Sequence, residues 1–136
     1  MANHITTGSV HHLALTVTDV QSSVDWYTQL LGFQFVVDLG ERTILSNGST
    51  LLAITSPPDP AKAIKDDRFD ENRVGLDHLS FGVGSYGELE DAVRLFDKNG
   101  VSHGEIKDLG AGFGIYVLAF RDPDNVQLEL TALYSD

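Results

Sequence analysis

Val10-His-His-Leu-Ala-Leu-Thr-Val17 returns 66 residues later as Leu76-Asp-His-Leu-Ser-Phe-Gly-Val83. An internal repeat decides the architecture, because the elements after the first copy should recur after the second. Both copies alternate, with apolar or β-branched residues at every second position, the pattern of a strand with one buried face. Helical periodicity comes after each copy. Val24, Tyr27, Leu30 and Leu31 share one helix face ahead of Gly32, and Leu89, Ala92, Val93 and Phe96 share one ahead of Gly100. Glycine at those points is a usual helix stop. Three strand-like runs then complete each half: 34–39, 41–45 and 50–55 in the first, 102–108, 114–120 and 126–131 in the second. The last runs, Ser49-Thr-Leu-Leu-Ala-Ile-Thr55 and Asn125-Val-Gln-Leu-Glu-Leu-Thr131, align at an offset of 76, so the second half carries ten extra residues. They fall around Gly110-Ala-Gly-Phe-Gly114, which is too permissive for a strand core. That stretch reads as a hairpin tip, with a flap over a pocket as the functional alternative.

The expected fold class is α+β, with two tandem βαβββ modules. Module 1 covers residues 9–56 and module 2 covers 75–133, joined by a linker over 57–74 into a single domain spanning 9–136. The linker holds Pro57, Pro58 and Pro60 and then a charged run from Lys62 to Arg73, a solvated connection by composition. In 136 residues neither half is large enough to be stable comfortably alone, so the two should pack as one unit. Hydrophobic residues at 42% and charged residues at 21% give the balance of a globular domain. A formal charge of −11 argues against nucleic acid and against an anionic membrane surface. No apolar run is long enough to span a bilayer. The start, Met1 to Ser9, has neither the basic nor the apolar region of a secretory signal, so a cytoplasmic location is expected. The absence of cysteine removes disulfides, thiolate nucleophiles and Cys-based zinc sites. Five histidines are left as the metal-binding nitrogen side chains.

Strand alternation sorts these histidines. On the first strand His12, Ala14 and Thr16 share a face opposite Leu13, Leu15 and Val17; at the repeat position His78, Ser80 and Gly82 lie opposite Leu79, Phe81 and Val83. On the last strand Gln127, Glu129 and Thr131 lie opposite Val126, Leu128 and Leu130. One face of each strand packs on the helix, and the other carries a polar group among small residues, as the lining of a cavity does. Two imidazoles and a carboxylate, His12, His78 and Glu129, form a facial triad that leaves coordination positions open. Such a set suits one divalent ion, Fe2+, Zn2+, Mn2+ or Ni2+, without choosing among them.

Four segments carry a family resemblance: His12-Leu-Ala-Leu-Thr-Val-Thr-Asp19, Ser23-Val-Asp-Trp-Tyr-Thr-Gln-Leu-Leu-Gly-Phe33, Gly75-Leu-Asp-His-Leu-Ser-Phe81 and Phe120-Arg-Asp-Pro-Asp-Asn-Val-Gln-Leu-Glu-Leu130. From Val10 to Leu133 the chain resembles the vicinal oxygen chelate superfamily of glyoxalases, extradiol dioxygenases, and bleomycin and fosfomycin resistance proteins. The resemblance implies curved mixed sheets around a cleft, a metal on His12, His78 and Glu129, and a small-molecule substrate that presents two neighbouring oxygens to it. A homodimer is a further implication, with modules paired within or between chains. The activity implied is that of a dioxygenase-type or a lyase/isomerase-type enzyme, the alternative being a non-catalytic drug-binding protein of the bleomycin-resistance type. The glutamate that glyoxalase I uses as a fourth ligand and proton carrier is replaced here by Ala53, and the catalytic tyrosine of the ring-cleaving dioxygenases by Ala119. Tyr116 lies three strand positions from Ala119, hence on the opposite face. His103 is weighed as a substitute for the dioxygenases' second histidine against an exposed strand-start residue. No general base is assigned.

The remaining candidates carry structural readings. His11 points away from His12 by parity and belongs to the strand edge, and His4 lies in a polar start. Trp26 and Tyr27 read as core, and Asp122-Pro-Asp-Asn125 as a turn that places the strand bearing Glu129. Phe113 reads as a lid on an apolar substrate or as packing within the hairpin.

Overall fold

The computed structural model describes residues 3–135. The chain divides into two compact units between Lys65 and Asp66. In the first, β1 (His12–Thr16), α1 (Val20–Leu31), β2 (Gln34–Asp38), β3 (Arg42–Ser46) and β4 (Leu51–Thr55) follow in order. A 3₁₀ turn, Pro60–Lys62, precedes the second unit of β5 (Leu79–Val83), α2 (Tyr86–Lys98), β6 (Lys107–Asp108), β7 (Ile115–Arg121) and β8 (Gln127–Leu133). Each unit has one four-stranded mixed sheet, ordered β1-β4-β3-β2 and β5-β8-β7-β6. The first and last strand of each unit run parallel, the crossover between them carrying a helix, and the remaining pairs are antiparallel. The α+β class and the two βαβββ modules are therefore as the repeat implies.

Local chemistry sets the helix ends. Asp19 caps α1 by accepting the Ser22 N–H at 2.9 Å, and Gly32 ends it at φ 71°, a left-handed conformation that favours glycine. Ser85 caps α2 through the Glu88 N–H, while the Glu88 carboxylate reaches back to the Gly84 N–H in a variant of the capping box. The helix ends at Lys98, and Gly100 at φ 67° lets the Val101 N–H return to the Phe96 carbonyl at 2.9 Å.

Alternation then decides which faces are buried. In β8, Leu128, Leu130 and Ala132 are buried and the residues between them are not; in β5, Leu79, Phe81 and Val83 are partly covered while Ser80 and Gly82 are exposed. Tyr27, Leu45, Leu52 and Ile54 fill the first core. Leu89, Phe96, Leu118, Phe120 and Leu128 fill the second, with the Phe96 and Phe120 rings stacked at 4.5 Å.

Two expectations need correction. The run 102–108 is not a continuous strand. His103 bridges to Phe120 and Lys107 pairs with Val117, so four residue steps on this edge oppose three on β7, and the extra residue breaks the ladder around Gly104. The second half of the stretch expected to be a solvated linker is tied to its own unit. Phe69 donates its N–H to the Asp124 carbonyl at 2.9 Å, and Glu71 receives a bidentate pair from Arg121 at 2.8 and 2.9 Å. The Gly110–Gly114 stretch is a hairpin tip, closed by the Gly114 N–H on the Gly110 carbonyl at 2.8 Å, and Phe113 on it is 72% exposed.

The turn before β8 forms as its composition implies. Buried Asp122 accepts the N–H groups of Asp124 and Val126, each at 2.9 Å, and Asn125 takes φ 68°. Asp122→Ala strands these donors, and the expected loss is about 1–3 kcal/mol of unfolding free energy by urea titration.

Candidate metal centre

β5 and β8 run parallel with Ser80 opposite Glu129 and Gly82 opposite Thr131, so the uncovered face of the pair carries only small and polar side chains. A Cβ added to Gly82 would meet nothing within 4 Å, so this face is open. His78 lies immediately before β5 and Glu129 in the middle of β8. Because the strands are parallel and Ser80 is opposite Glu129, His78 is two residues back along the chain from the position that faces Glu129. His78 Nε2 stands 3.9 Å from Glu129 Oε1, the imidazole half-exposed and the carboxylate 20% exposed.

The other nitrogen is already engaged. His78 Nδ1 lies 2.7 Å from Asp77 Oδ1. Gln127, two residues before Glu129, donates its amide to the Asp77 carbonyl at 2.9 Å and to Asp77 Oδ1 at 3.1 Å. Arg121, opposite Gln127 on β7, donates to Gln127 Oε1 at 3.2 Å and closes on Glu71. On the far side of Glu129, Thr131 Oγ1 reaches Oε1 at 3.4 Å and Ser80 Oγ at 2.5 Å. Sequence reasoning put Gln127 and Thr131 on this face but missed Asp77, Arg121 and Glu71. Asp77 carries a signal, since it precedes the histidine at the repeat position; Glu71 carries none, having no counterpart in the first half.

His12 opens β1 of the first unit, on the exposed face with Ala14 and Thr16. His11 does not point away as parity implies. It precedes the strand, where alternation no longer applies, and its Nδ1 lies 2.9 Å from His12 Nδ1 with the rings edge to face. Ala53 pairs with Ala14 on β4 as Glu129 pairs with Ser80 on β8, so the two are equivalent in the repeat. Within neither unit do three or more described His, Asp or Glu side chains gather as a metal-holding group.

The other candidates separate cleanly. Ala119 faces Glu129 directly across β7 and β8, the neighbour position at which a tyrosine would reach the carboxylate. Tyr116 is on the helix side, packed between Tyr86 at 4.8 Å and Tyr134 at 4.7 Å. His103 is neither exposed nor a ligand candidate: its Nε2 meets Asp97 Oδ1 at 2.6 Å and its Nδ1 the Gly104 carbonyl at 2.7 Å, a clip between α2 and the broken edge. His4 is exposed outside every regular element.

Comparison with known proteins gives a consistent result. Residues 9–130 match the family described as the Glyoxalase/Bleomycin resistance protein/Dioxygenase superfamily. The chain is similar to a solved glyoxylase/bleomycin resistance protein/dioxygenase domain from Frankia sp. EAN1pec, with TM-score 0.74 and 32% identity over 94% of this chain and 99% of that one. It is 30% identical to the uncharacterized protein YwkD of Bacillus subtilis over 90% of this chain and 94% of that protein. It is 24% identical to the metallothiol transferase FosB of Staphylococcus saprophyticus over 90% of this chain and 75% of that protein. Among the described residues no helix is long and apolar enough to cross a membrane.

Two ion pairs give pH dependences of opposite sign. Hydrogen bonding to Asp97, and then to the Gly104 carbonyl, raises the His103 pKa above its ordinary value. Its stabilisation is therefore complete below the ordinary histidine range and is lost as pH rises through the raised value. The stability deficit of His103→Gln should be largest in mildly acid buffer and narrow as pH rises, read by thermal melts across pH. The Arg121 pair holds the Glu71 carboxyl down from 4.5 to about 2, so its contribution is present above 4.5 and is lost as pH falls toward about 2. Glu71→Gln should cost stability at neutral pH, with the difference from the parent closing on acidification.

Proposed function

The chain belongs to the Glyoxalase/Bleomycin resistance protein/Dioxygenase superfamily, and from that premise we propose that it is a divalent-metal-dependent enzyme acting on a small molecule with adjacent oxygens. His78 and Glu129 would hold the metal, with His12 as the third ligand that the sequence implies. The observation that carries this reading is the approach of His78 Nε2 to the Glu129 carboxylate at 3.9 Å. Imidazole nitrogen and carboxylate oxygen are both zinc donors, and the two side chains are near enough to be donors to one ion. Imidazole and carboxylate are also the donor types that divalent iron, zinc, manganese and nickel share. His12 joins the set on its ligand type and its repeat register with His78.

When bound, the metal supplies Lewis acidity to the two substrate oxygens. The chain supplies the rest. Ser80, Gly82 and Ala119 leave space beside Glu129 for a ligand, and Thr131 hydrogen-bonds the carboxylate and limits its rotation. Two family chemistries lose support from residues here. Ala53 can carry no proton for a glyoxalase I relay, and Ala119 removes the tyrosine of ring cleavage. The reading that fits best is activation of substrate oxygens for addition, transfer or elimination, with the proton carried by substrate or water. The rival, a drug-binding protein of the bleomycin-resistance type, draws on the same two alanines.

Stoichiometric divalent metal in tag-free protein, with thermal stabilisation on adding it back to chelated protein, is the expected result. Its absence on both counts overturns the proposal. Glu129→Ala should abolish calorimetrically detectable metal uptake while leaving the fold intact by circular dichroism, and retained affinity would remove Glu129 from the site.

A further inference from the structure

We infer that Asp77 is a positioning residue: it fixes His78 with its proton on Nδ1 and Nε2 bare toward Glu129, and is itself held by Gln127 and Arg121. An ionised carboxylate only accepts hydrogen bonds, so the 2.7 Å contact between Asp77 Oδ1 and His78 Nδ1 requires the imidazole to donate from Nδ1. In the neutral ring the lone pair is then on Nε2, the nitrogen 3.9 Å from Glu129. Left to itself a neutral histidine favours a proton on Nε2, which would block that nitrogen as a ligand. The carboxylate therefore selects the form that can bind.

Asp77 is exposed, so a single contact would fix it weakly. Gln127 grips it twice, through the Asp77 carbonyl and Oδ1, and so sets both the backbone and the side chain. Arg121 orients Gln127 by donating to its Oε1, which fixes the amide with its NH2 toward Asp77. Glu71 anchors the guanidinium with two bonds. The arrangement runs from the segment before β5 across β7 and β8 to the histidine, all within one unit. The repeat supplies a parallel: in the first unit the residue before the candidate ligand, His11, meets His12 at Nδ1. The two modules share the position with different chemistry, an imidazole in one and a carboxylate in the other.

This inference deepens the metal reading and rests on it for its purpose, but its first test does not need metal. Long-range 1H–15N spectra of metal-free protein, at a pH where the ring is neutral, should show His78 protonated on Nδ1. Asp77→Ala should move the population to Nε2, and Asp77→Asn, which keeps an acceptor oxygen, should restore much of the parent form. Zinc titration by calorimetry should then show about 10–100-fold weaker binding for Asp77→Ala, with Gln127→Ala falling between it and the parent. An unchanged His78 spectrum in Asp77→Ala, or equal zinc affinity in a parent that binds zinc, overturns the inference. A parent with Nδ1-protonated His78 that takes up none of Zn2+, Fe2+, Mn2+ and Ni2+ upholds the positioning role and overturns the metal reading instead.

Discussion

The structure depends on the parallel pairing of the first and last strands within each unit. Parallel neighbours need a crossover, which the helix provides by covering one face. Side chains with a period of two then sort themselves: Leu128, Leu130 and Ala132 turn to the helix, and Gln127, Glu129 and Thr131 turn away. A slip of one residue in β8 would exchange the two sets, burying a carboxylate among apolar side chains and exposing three core residues. The burial that stabilises the sheet therefore also fixes where Glu129 points. Parallel direction adds a second consequence: β5 and β8 start nearly level, so His78 just before β5 comes within 3.9 Å of Glu129.

Duplication explains why the same face exists in both modules, and divergence explains why they differ. The pairings Ala14–Ala53 and Ser80–Glu129 are equivalent in register, yet one position is a methyl group and the other a carboxylate. The histidine position is kept in both copies, and the residue before it is His11 in one and Asp77 in the other. The histidine at the start of the repeat is thus shared, while the carboxylate and its polar support are concentrated in the second module. The ten extra residues of that module also end up in structure of their own, the broken edge with its His103 clip and the Gly110–Gly114 tip.

Local and periodic features were legible in the sequence. The helices, their stops at Gly32 and Gly100, the Asp122 turn and the faces of β1, β5 and β8 come from spacing and capping chemistry. The break after Gly104 was not legible, because the residues of 102–108 say nothing of how many residues the partner strand offers. His11 shows the limit of parity, which holds only inside a strand. Glu71 and Arg121 are 50 residues apart, and neither occupies a repeated position, so no local pattern joins them. A charged run therefore reads as a solvated linker even though one of its carboxylates is engaged by a half-buried guanidinium.

That engagement matters more for geometry than for stability. Hydrogen bonds among partly exposed groups contribute modestly to folding, about 0.5–1.5 kcal/mol each, since water competes for the same donors. Orientation is another matter: a donor fixed at both ends has one rotamer where a free one has several. Glu71 fixes Arg121, Arg121 fixes the amide sense of Gln127, and Gln127 fixes Asp77, so each side chain removes a freedom from the next. The open edge of a sheet could not otherwise hold a histidine rotamer, because no core packs against His78 to hold it. Polar residues from three separate stretches, 71–77, 121 and 127, supply at this edge the constraint that apolar packing supplies on the other face. The exposed face can then remain small and open beside Glu129 while the histidine next to it keeps one ring nitrogen aimed at the carboxylate.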